Sequence, residues 1–412
     1  MSNLEFNINN IHNISKEEEK LRKENLQAFK KIGFPSKKLE DWKFTDLNQI
    51  IEKNFNNLDS NYSIKDNDVK KIKDFKHNSI TLINGIMKAN NFEYENKNKI
   101  KINKYEEKIS KKEETFNPLI NLNNALYDGG YCLEIASNYK LSKPLIIYNY
   151  FSDNLDNKVV NNKNLITLGN NSDLEIIEMS SDIAKGNFIQ NNYTSVNIGE
   201  NSSLKNYILQ SCKSNGFFFK SLKGSLSNRS NFEELILSSG LKFNRIDEDI
   251  DILGEGASCS IQSALFLNKD SHQELKTKIN HLKPNSKSYQ KIKNVLNDNC
   301  KGIYQGKIFV KDIAQKTNAY QLSRALLLND TSEFNAKPEL EIYADDVKCS
   351  HGSTSGSVNE DSIYYLMTRG IKRQNAIELL TKAFLSEVIS SISNSEIQIF
   401  LEKYLDKQIY EY

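Results

Sequence analysis

From residue 165 onward the chain reads as short alternating strands separated by small-residue turns. Residues 165–168, 174–179, 195–198, 204–209 and 235–237 set apolar side chains at every second position, the period of a half-buried strand. The turns between them repeat. Leu168-Gly169-Asn170-Asn171-Ser172-Asp173-Leu174 returns as Ile198-Gly199-Glu200-Asn201-Ser202-Ser203-Leu204. It returns more loosely as Leu226-Ser227-Asn228-Arg229-Ser230-Asn231-Phe232 and as Leu253-Gly254-Glu255-Gly256-Ala257-Ser258-Cys259. Fainter copies begin at Leu282, Ile313 and Tyr343. The second residue of each copy falls at 169, 199, 227, 254, 283, 314 and 344, so the steps are 30, 28, 27, 29, 31 and 30. A period of this size, with almost no helical periodicity between the strands, predicts a stacked β-solenoid rather than a leucine-rich or helical repeat.

The flanks change period. Near the N-terminus Ser15 and Glu18 form a capping box ahead of Leu21, Leu26, Phe29 and Ile32, and Gly33-Phe34-Pro35 ends that helix. Residues 52–116 are rich in Asn, Lys and Asp and read as irregular, with a few strand-like runs such as 79–83. After Gly356 the pattern is helical. Asn359 caps Glu360–Thr368, and Ala376, Leu379, Leu380, Ala383, Phe384, Val388 and Ile389 share one stripe. Asn394 caps a last helix that turns Ile397, Phe400, Leu401 and Leu405 inward. The expected organisation is a helical and mixed region at 1–125, a solenoid core at 126–356 and a helical region at 357–412. A solenoid exposes apolar surface and strand edges at its ends, so the helical flanks are expected to cap it.

Composition narrows the function classes. In 412 residues the net charge is only +2, so no strong field draws nucleic acid or an anionic membrane. No apolar run approaches the roughly 20 residues that span a bilayer. Met1-Ser2-Asn3-Leu4-Glu5-Phe6 lacks the basic and apolar regions of a signal peptide. Five scattered cysteines give no disulfide framework, and a reducing, cytoplasmic setting is expected.

One short string carries candidate chemistry. Cys349-Ser350-His351 sets a thiol and an imidazole two residues apart on a strand, hence on one face and about 7 Å apart. Thiolate with imidazole suits iron or zinc. The competing reading is structural. Cys349 falls in the repeat register of Leu174, Leu204 and Cys259, where an unpaired cysteine serves as a small buried hydrophobe. Two ligands do not complete a metal site in either case. Other motifs carry less. His272 and His281 flank a strand and read as turn histidines. Cys132, Cys212, Cys259 and Cys300 form no CxxC pair. Gly254-Glu255-Gly256 reads as a tight turn, and Gly302-Ile303-Tyr304-Gln305-Gly306-Lys307 is too short between glycines for a nucleotide loop. Asp345-Asp346, as strand neighbours, would face opposite sides. No repeated acidic or basic column is apparent, which disfavours a β-helical polysaccharide-active enzyme.

Several longer strings match a known family. Residues 33–47, Gly-Phe-Pro-Ser-Lys-Lys-Leu-Glu-Asp-Trp-Lys-Phe-Thr-Asp-Leu, are similar to an N-terminal motif of the SufB/SufD scaffold proteins of iron–sulfur cluster assembly. Residues 253–257, 309–328, 337–356 and 364–371 resemble further segments of that family. SufB proteins carry Glu-His-Glu-Ala-Thr where this chain has Cys349-Ser350-His351-Gly352-Ser353-Thr354, so the resemblance is to the SufD branch. Ser353 departs from the family's usual alanine. The resemblance implies a right-handed parallel β-helix with helical flanks and no catalysis by this chain. It implies a complex with one SufB, paired through the β-helices, and two copies of the ATPase SufC, docked on the C-terminal helices. It also implies that Cys349 and His351 sit at the SufB interface as ligands for iron or a nascent cluster, transient and shared with SufB. Both are expected to be buried until ATP-driven motion of SufC opens that interface. A SufB-like homodimeric scaffold is the alternative within the family.

Overall fold

A left-handed residue recurs at one corner of successive coils. Asn138, Asn171, Asn201, Arg229, Gly256, Asn285 and Lys316 all have φ between 52° and 68°. Asparagine and glycine tolerate this region best, which explains the Asn-rich turns. Each such amide donates to a carbonyl one coil further on, for example Asn171 N to Glu200 O at 2.8 Å and Asn201 N to Asn228 O at 3.0 Å. After all but the first of these, where Tyr139 stands, the following residue, Ser172, Ser202, Ser230, Ala257, Ser286 or Thr317, is small and buried. A bulkier side chain there would hold the coils apart. Gly254 shows how tight this corner is: a Cβ on it would lie 2.0 Å from the carbonyl carbon of Ser227.

These turns organise a parallel β-solenoid. The computed structural model describes all residues except 1–2, 5, 9–10, 12–13, 63–68, 106–116, 183, 185, 211–215 and 411–412. Two sheets form its walls. In the first, Glu333–Ile342, Lys301–Val310, His272–His281, Phe243–Ile252, Gly216–Leu226, Phe188–Ile198, Val159–Leu168, Tyr131–Ile135 and Ile100–Lys104 lie side by side. In the second the order is Lys348–Ser357, Asn318–Leu327, Lys287–Leu296, Ser258–Leu267, Asn231–Ser239, Ser203–Gln210, Asp173–Asp182, Leu145–Phe151, Asn78–Ile83 and Ile86–Asn91. Ile86–Asn91 and Ile100–Lys104 run antiparallel and finish the sheets at the N-terminal end. The irregular reading of 52–116 therefore fails for these strands. Their polar composition reflects exposure at a sheet edge.

The repeat register holds in one column and drifts in the other. Leu174, Leu204, Phe232, Cys259, Ser288, Ala319 and Cys349 are successive partners, as the repeat predicts. The residues stacked before the turn are Leu168, Ile198, Leu226, Ile252, His281, Val310 and Ile342. Leu253, Ile313 and Tyr343, expected in that column, are instead exposed. The turn varies in length: Leu226 to Phe232 is six steps, Ile252 to Cys259 seven, Val310 to Ala319 nine and Ile342 to Cys349 seven again.

The helices lie along the walls, which corrects the expectation of end caps. Helix α1 (Lys16–Ile32), capped by Ser15, packs with α2 (Leu47–Asn54) and α3 (Pro118–Leu126) on the outer face of the first sheet. Phe29, Trp42, Leu47 and Ile51 meet Phe217, Phe219 and Phe243 there. Arg245 fixes this docking. Its buried guanidinium lies 3.8 Å from the Trp42 ring centroid, pairs with Glu274 and Asp247, and donates to Asp41 O at 2.8 Å. Desolvation opposes the Glu274 charge, but Arg245, His272 and Thr45 outweigh it and hold the carboxyl at about 2. Helix α4 (Glu360–Thr368) follows the last strand. Helices α5 (Arg373–Ser386) and α6 (Ser395–Tyr410) cover the outer face of the second sheet. Val388 and Ile389 are buried beyond the end of α5, while Leu379 is exposed. Lys293, buried in the second sheet, donates to Phe384 O at 2.7 Å and pairs with Glu387. Among the described residues no strand pairs beyond the last coil at the C-terminal end of the solenoid.

Removing Arg245 strands the Glu274 charge. Arg245→Leu is expected to cost about 3–5 kcal/mol, measured by urea unfolding. Because the Glu274 pKa is lowered from 4.5, its contribution is complete above 4.5 and lost as pH falls through about 2. The stability gap between the wild type and Glu274→Gln should therefore narrow steadily across that window on acidification.

Candidate functional site at the open end of the solenoid

Cys349 and His351 lie on Lys348–Ser357, the outermost strand of the second sheet. One edge pairs with Asn318–Leu327, setting Cys349 beside Ala319 and His351 beside Gln321. Among the described residues no strand pairs with the other edge. Glu333–Ile342 ends the first sheet in the same way. The C-terminal coil thus presents two unpaired edges, with exposed Tyr343 in the turn between them, and α4, which follows the last strand, carries exposed Tyr364, Tyr365 and Met367.

The register keeps both side chains in inward-facing columns, but no further coil covers them. Cys349 is half-buried against the cluster of Ile308, Val310, Ala314, Ala319 and Ala344. Burial pushes its thiol pKa up, opposed only partly by the Ala319 backbone. His351 is exposed. The expectation of a pair sealed in the core is therefore corrected: the core-like register is real, yet it ends at an open rim. Among the described residues no group of three or more His, Cys, Asp or Glu side chains is arranged to hold a metal. Cys349 and His351 are at most part of a site.

The other sequence candidates have structural roles. His281 is buried between Ser286 Oγ (2.7 Å) and Ser288 Oγ (2.9 Å), and desolvation lowers its pKa to about 4. His272 Nε2 lies 2.7 Å from Glu274 Oε1 and 3.1 Å from Thr45 Oγ1, tying the N-terminal segment to the first sheet. Cys259 and Cys300 are buried with raised thiol pKa values, so neither is activated. Cys132 is half-buried, and Cys212 lies outside the described residues. Asp345-Asp346 occupies the turn between the last two strands rather than a strand.

Two features escaped the sequence reading. The first is a charged outer face. A cleft of about 650 Å³ between Leu39–Trp42 and the first sheet is lined by Lys223, Lys276, Lys278, Lys307, Asp247 and Asp249. Its charges are largely matched: Lys276 with Asp41 at 2.6 Å, Lys278 with Asp249 at 3.6 Å, Arg245 with Asp247 at 2.9 Å. The second lies inside the solenoid, where Lys220, Glu178, Asn206, Glu234 and Glu248 meet. A signal for it was present. Lys220 shares the alternation phase of Phe218 and Leu222, Glu234 that of Phe232 and Ile236, and Glu248 that of Ile246 and Ile250.

The comparisons agree with this architecture. The family described as "SUF system FeS cluster assembly, SufBD core domain" matches residues 150–384, and "SufBD protein N-terminal region" matches residues 7–99. An iron–sulfur cluster assembly SufBD family protein of Synechocystis sp. is 26% identical over 290 residues, 68% of this chain and 63% of that protein. The iron–sulfur cluster assembly protein SufD of Escherichia coli is 34% identical over 145 residues, 35% of this chain and 34% of that protein. SufD of Bacillus subtilis is 24% identical over 289 residues, 70% of this chain and 66% of that protein. The matched segments thus span from about a third to two thirds of these relatives' own lengths. With the core match covering more than half of its residues, the chain belongs to the SufBD family of iron–sulfur cluster assembly proteins.

Proposed function

We propose that this chain is a non-catalytic, SufD-type scaffold subunit that pairs with a SufB-type subunit through the open end of its solenoid. One observation carries this reading: two metal-competent side chains stand on a terminal strand with one free edge and, among the described residues, too few neighbours to complete a site. A partner that adds its own strands would satisfy the free edges and bring further ligands to the same place. Iron or a nascent cluster is then cargo, held transiently between the subunits by Cys349 and His351 with a thiolate from the partner. His351 is accessible and the stronger ligand. Cys349 must lose its thiol proton and gain exposure before it can bind, so it is the later one.

The C-terminal helices supply the second contact in this proposal. They present Tyr364, Tyr365, Met367 and Leu379 to solvent and are fastened to the second sheet through Lys293 and Glu387. A SufC-type ATPase docked there would pull on the wall that carries Cys349 and His351, and ATP would be hydrolysed on that subunit. No helix among the described residues is long and apolar enough to cross a membrane. The cytoplasm is the proposed compartment.

Co-purification with SufB-type and SufC-type partners, followed by anaerobic iron and sulfide analysis, tests the assignment. His351→Ala is expected to lose most of the iron with the complex intact, and Cys349→Ser part of it. Unchanged iron in both variants would remove the pair from the site. A stable cluster on this chain purified alone would favour the homodimeric scaffold instead. Native alkylation with mass spectrometry checks access: Cys349 should react, more slowly than a free thiol, whereas Cys259 and Cys300 should react only after unfolding.

A further inference from the structure

Beneath His351 the inward column of the second sheet is polar. It runs through Asn206, Glu234, Ile261, Gln290, Gln321 and His351, one residue from each successive coil. Stacked neighbours in this sheet hydrogen-bond where their chemistry allows. Asn206 Nδ2 donates to Glu234 Oε2 at 2.9 Å. Ser323 Oγ donates to Ser353 Oγ at 2.9 Å, between the same two strands that carry Gln321 and His351. Only Gln321 separates His351 from the closed lumen, and it is fully buried.

The Gln321 carboxamide is held loosely for a buried polar group. Its Nε2 donates to Gly306 O at 3.4 Å, which fixes the orientation of the amide. Its Oε1 lies 3.4 Å from Tyr304 Oη, beyond the usual O–H···O range. Tyr304 has one hydroxyl proton and a nearer acceptor, Gln290 Oε1 at 3.0 Å. The Thr277 hydroxyl also donates to Gln290. Gln321 Oε1 is therefore left with unused acceptor capacity. Gly306 makes the space for it: a Cβ there would lie 2.5 Å from this oxygen.

Packing does not call for a carboxamide here. Ile261 fills the same column two coils earlier and is fully buried. A buried acceptor without a good donor costs stability that an apolar residue would not. The chemistry of His351 supplies a reason for keeping it. An imidazole that binds a metal through one ring nitrogen carries its proton on the other. An acceptor for that N–H sets the tautomer, holds the ring and raises its basicity. Gln321 is the strand partner of His351, with the strands about 4.8 Å apart. Cys349 has only Ala319 beside it and no such support.

We propose that Gln321 is a positioning residue for His351: its Oε1 accepts the ring N–H opposite the nitrogen that binds iron. This role rests on His351 being the iron ligand proposed above. In the uncovered chain His351 is exposed, and water competes for its ring. A partner laid over the rim removes that competitor and leaves Gln321 as the acceptor from below. Gln321 itself touches no iron.

Anaerobic titration of ferrous ion into the complex with SufB-type and SufC-type partners tests this role, with iron affinity as the readout. Gln321→Met keeps the length of the side chain and removes both polar groups, and should weaken binding by about 10–100-fold. Gln321→Leu repeats the removal with a different shape. Gln321→Glu restores an acceptor and should recover most of the loss. In a His351→Ala background Gln321→Met should change nothing further, because no imidazole remains to be held. Circular dichroism and co-purification show which variants are folded and assembled. Wild-type affinity in the apolar variants, a loss that Gln321→Glu shares in full, or an equal loss with and without the imidazole overturns the positioning role and leaves His351 a ligand. Unchanged iron in His351→Ala overturns the ligand reading, and the role of Gln321 with it.

Discussion

Coil-to-coil stacking is the constraint on which everything else depends. Each coil satisfies its backbone groups and buries its inner stripe only against the coils on either side. Inside the stack this is self-sufficient. At the last coil it fails, and Lys348–Ser357 and Glu333–Ile342 keep free edges and exposed side chains. The N-terminal end is finished by antiparallel strands of the same chain. This asymmetry leaves one end available to another chain, and the thiol and imidazole stand at that end.

The helices have a different task from closing the stack. Both helical regions lie flat on the walls, joined through large apolar contacts and a few buried charges. Arg245 clamps the Trp42 segment to the first sheet, and Lys293 fastens the C-terminal helices to the second. A buried charge of this kind contributes little net stability against an apolar alternative, but losing either partner is costly. The fastenings therefore fix where each helical region sits. A force applied to the C-terminal helices reaches the second sheet through Lys293 and Glu387.

Much of the fold was legible in the residues. The alternation, the small-residue turns and the period identified the solenoid, and the column ending in Cys349 held through every coil. The column before the turn was not legible, because inserted turn residues shifted Leu253, Ile313 and Tyr343 outside without breaking the apparent repeat. Within 52–116 the buried strand at 78–83 was legible, but Ile86–Asn91 and Ile100–Lys104 were hidden because edge strands need few apolar residues. The lumen cluster was hidden for a different reason. Lys220, Glu234 and Glu248 occupy apolar phases, but no local pattern tells that three separate strands bring them together.

The sequence by itself determined the solenoid, its turn chemistry and the inward phase of Cys349 and His351, because these follow from periods of two and of about thirty residues within the chain. Only the tertiary structure decided that the inward phase ends in the open. Burial at a given phase depends on what stacks next, and beyond residue 357 the chain turns to helix and lies along the wall. The same residues one coil earlier would be core. At the rim the thiol is half-buried and the imidazole exposed.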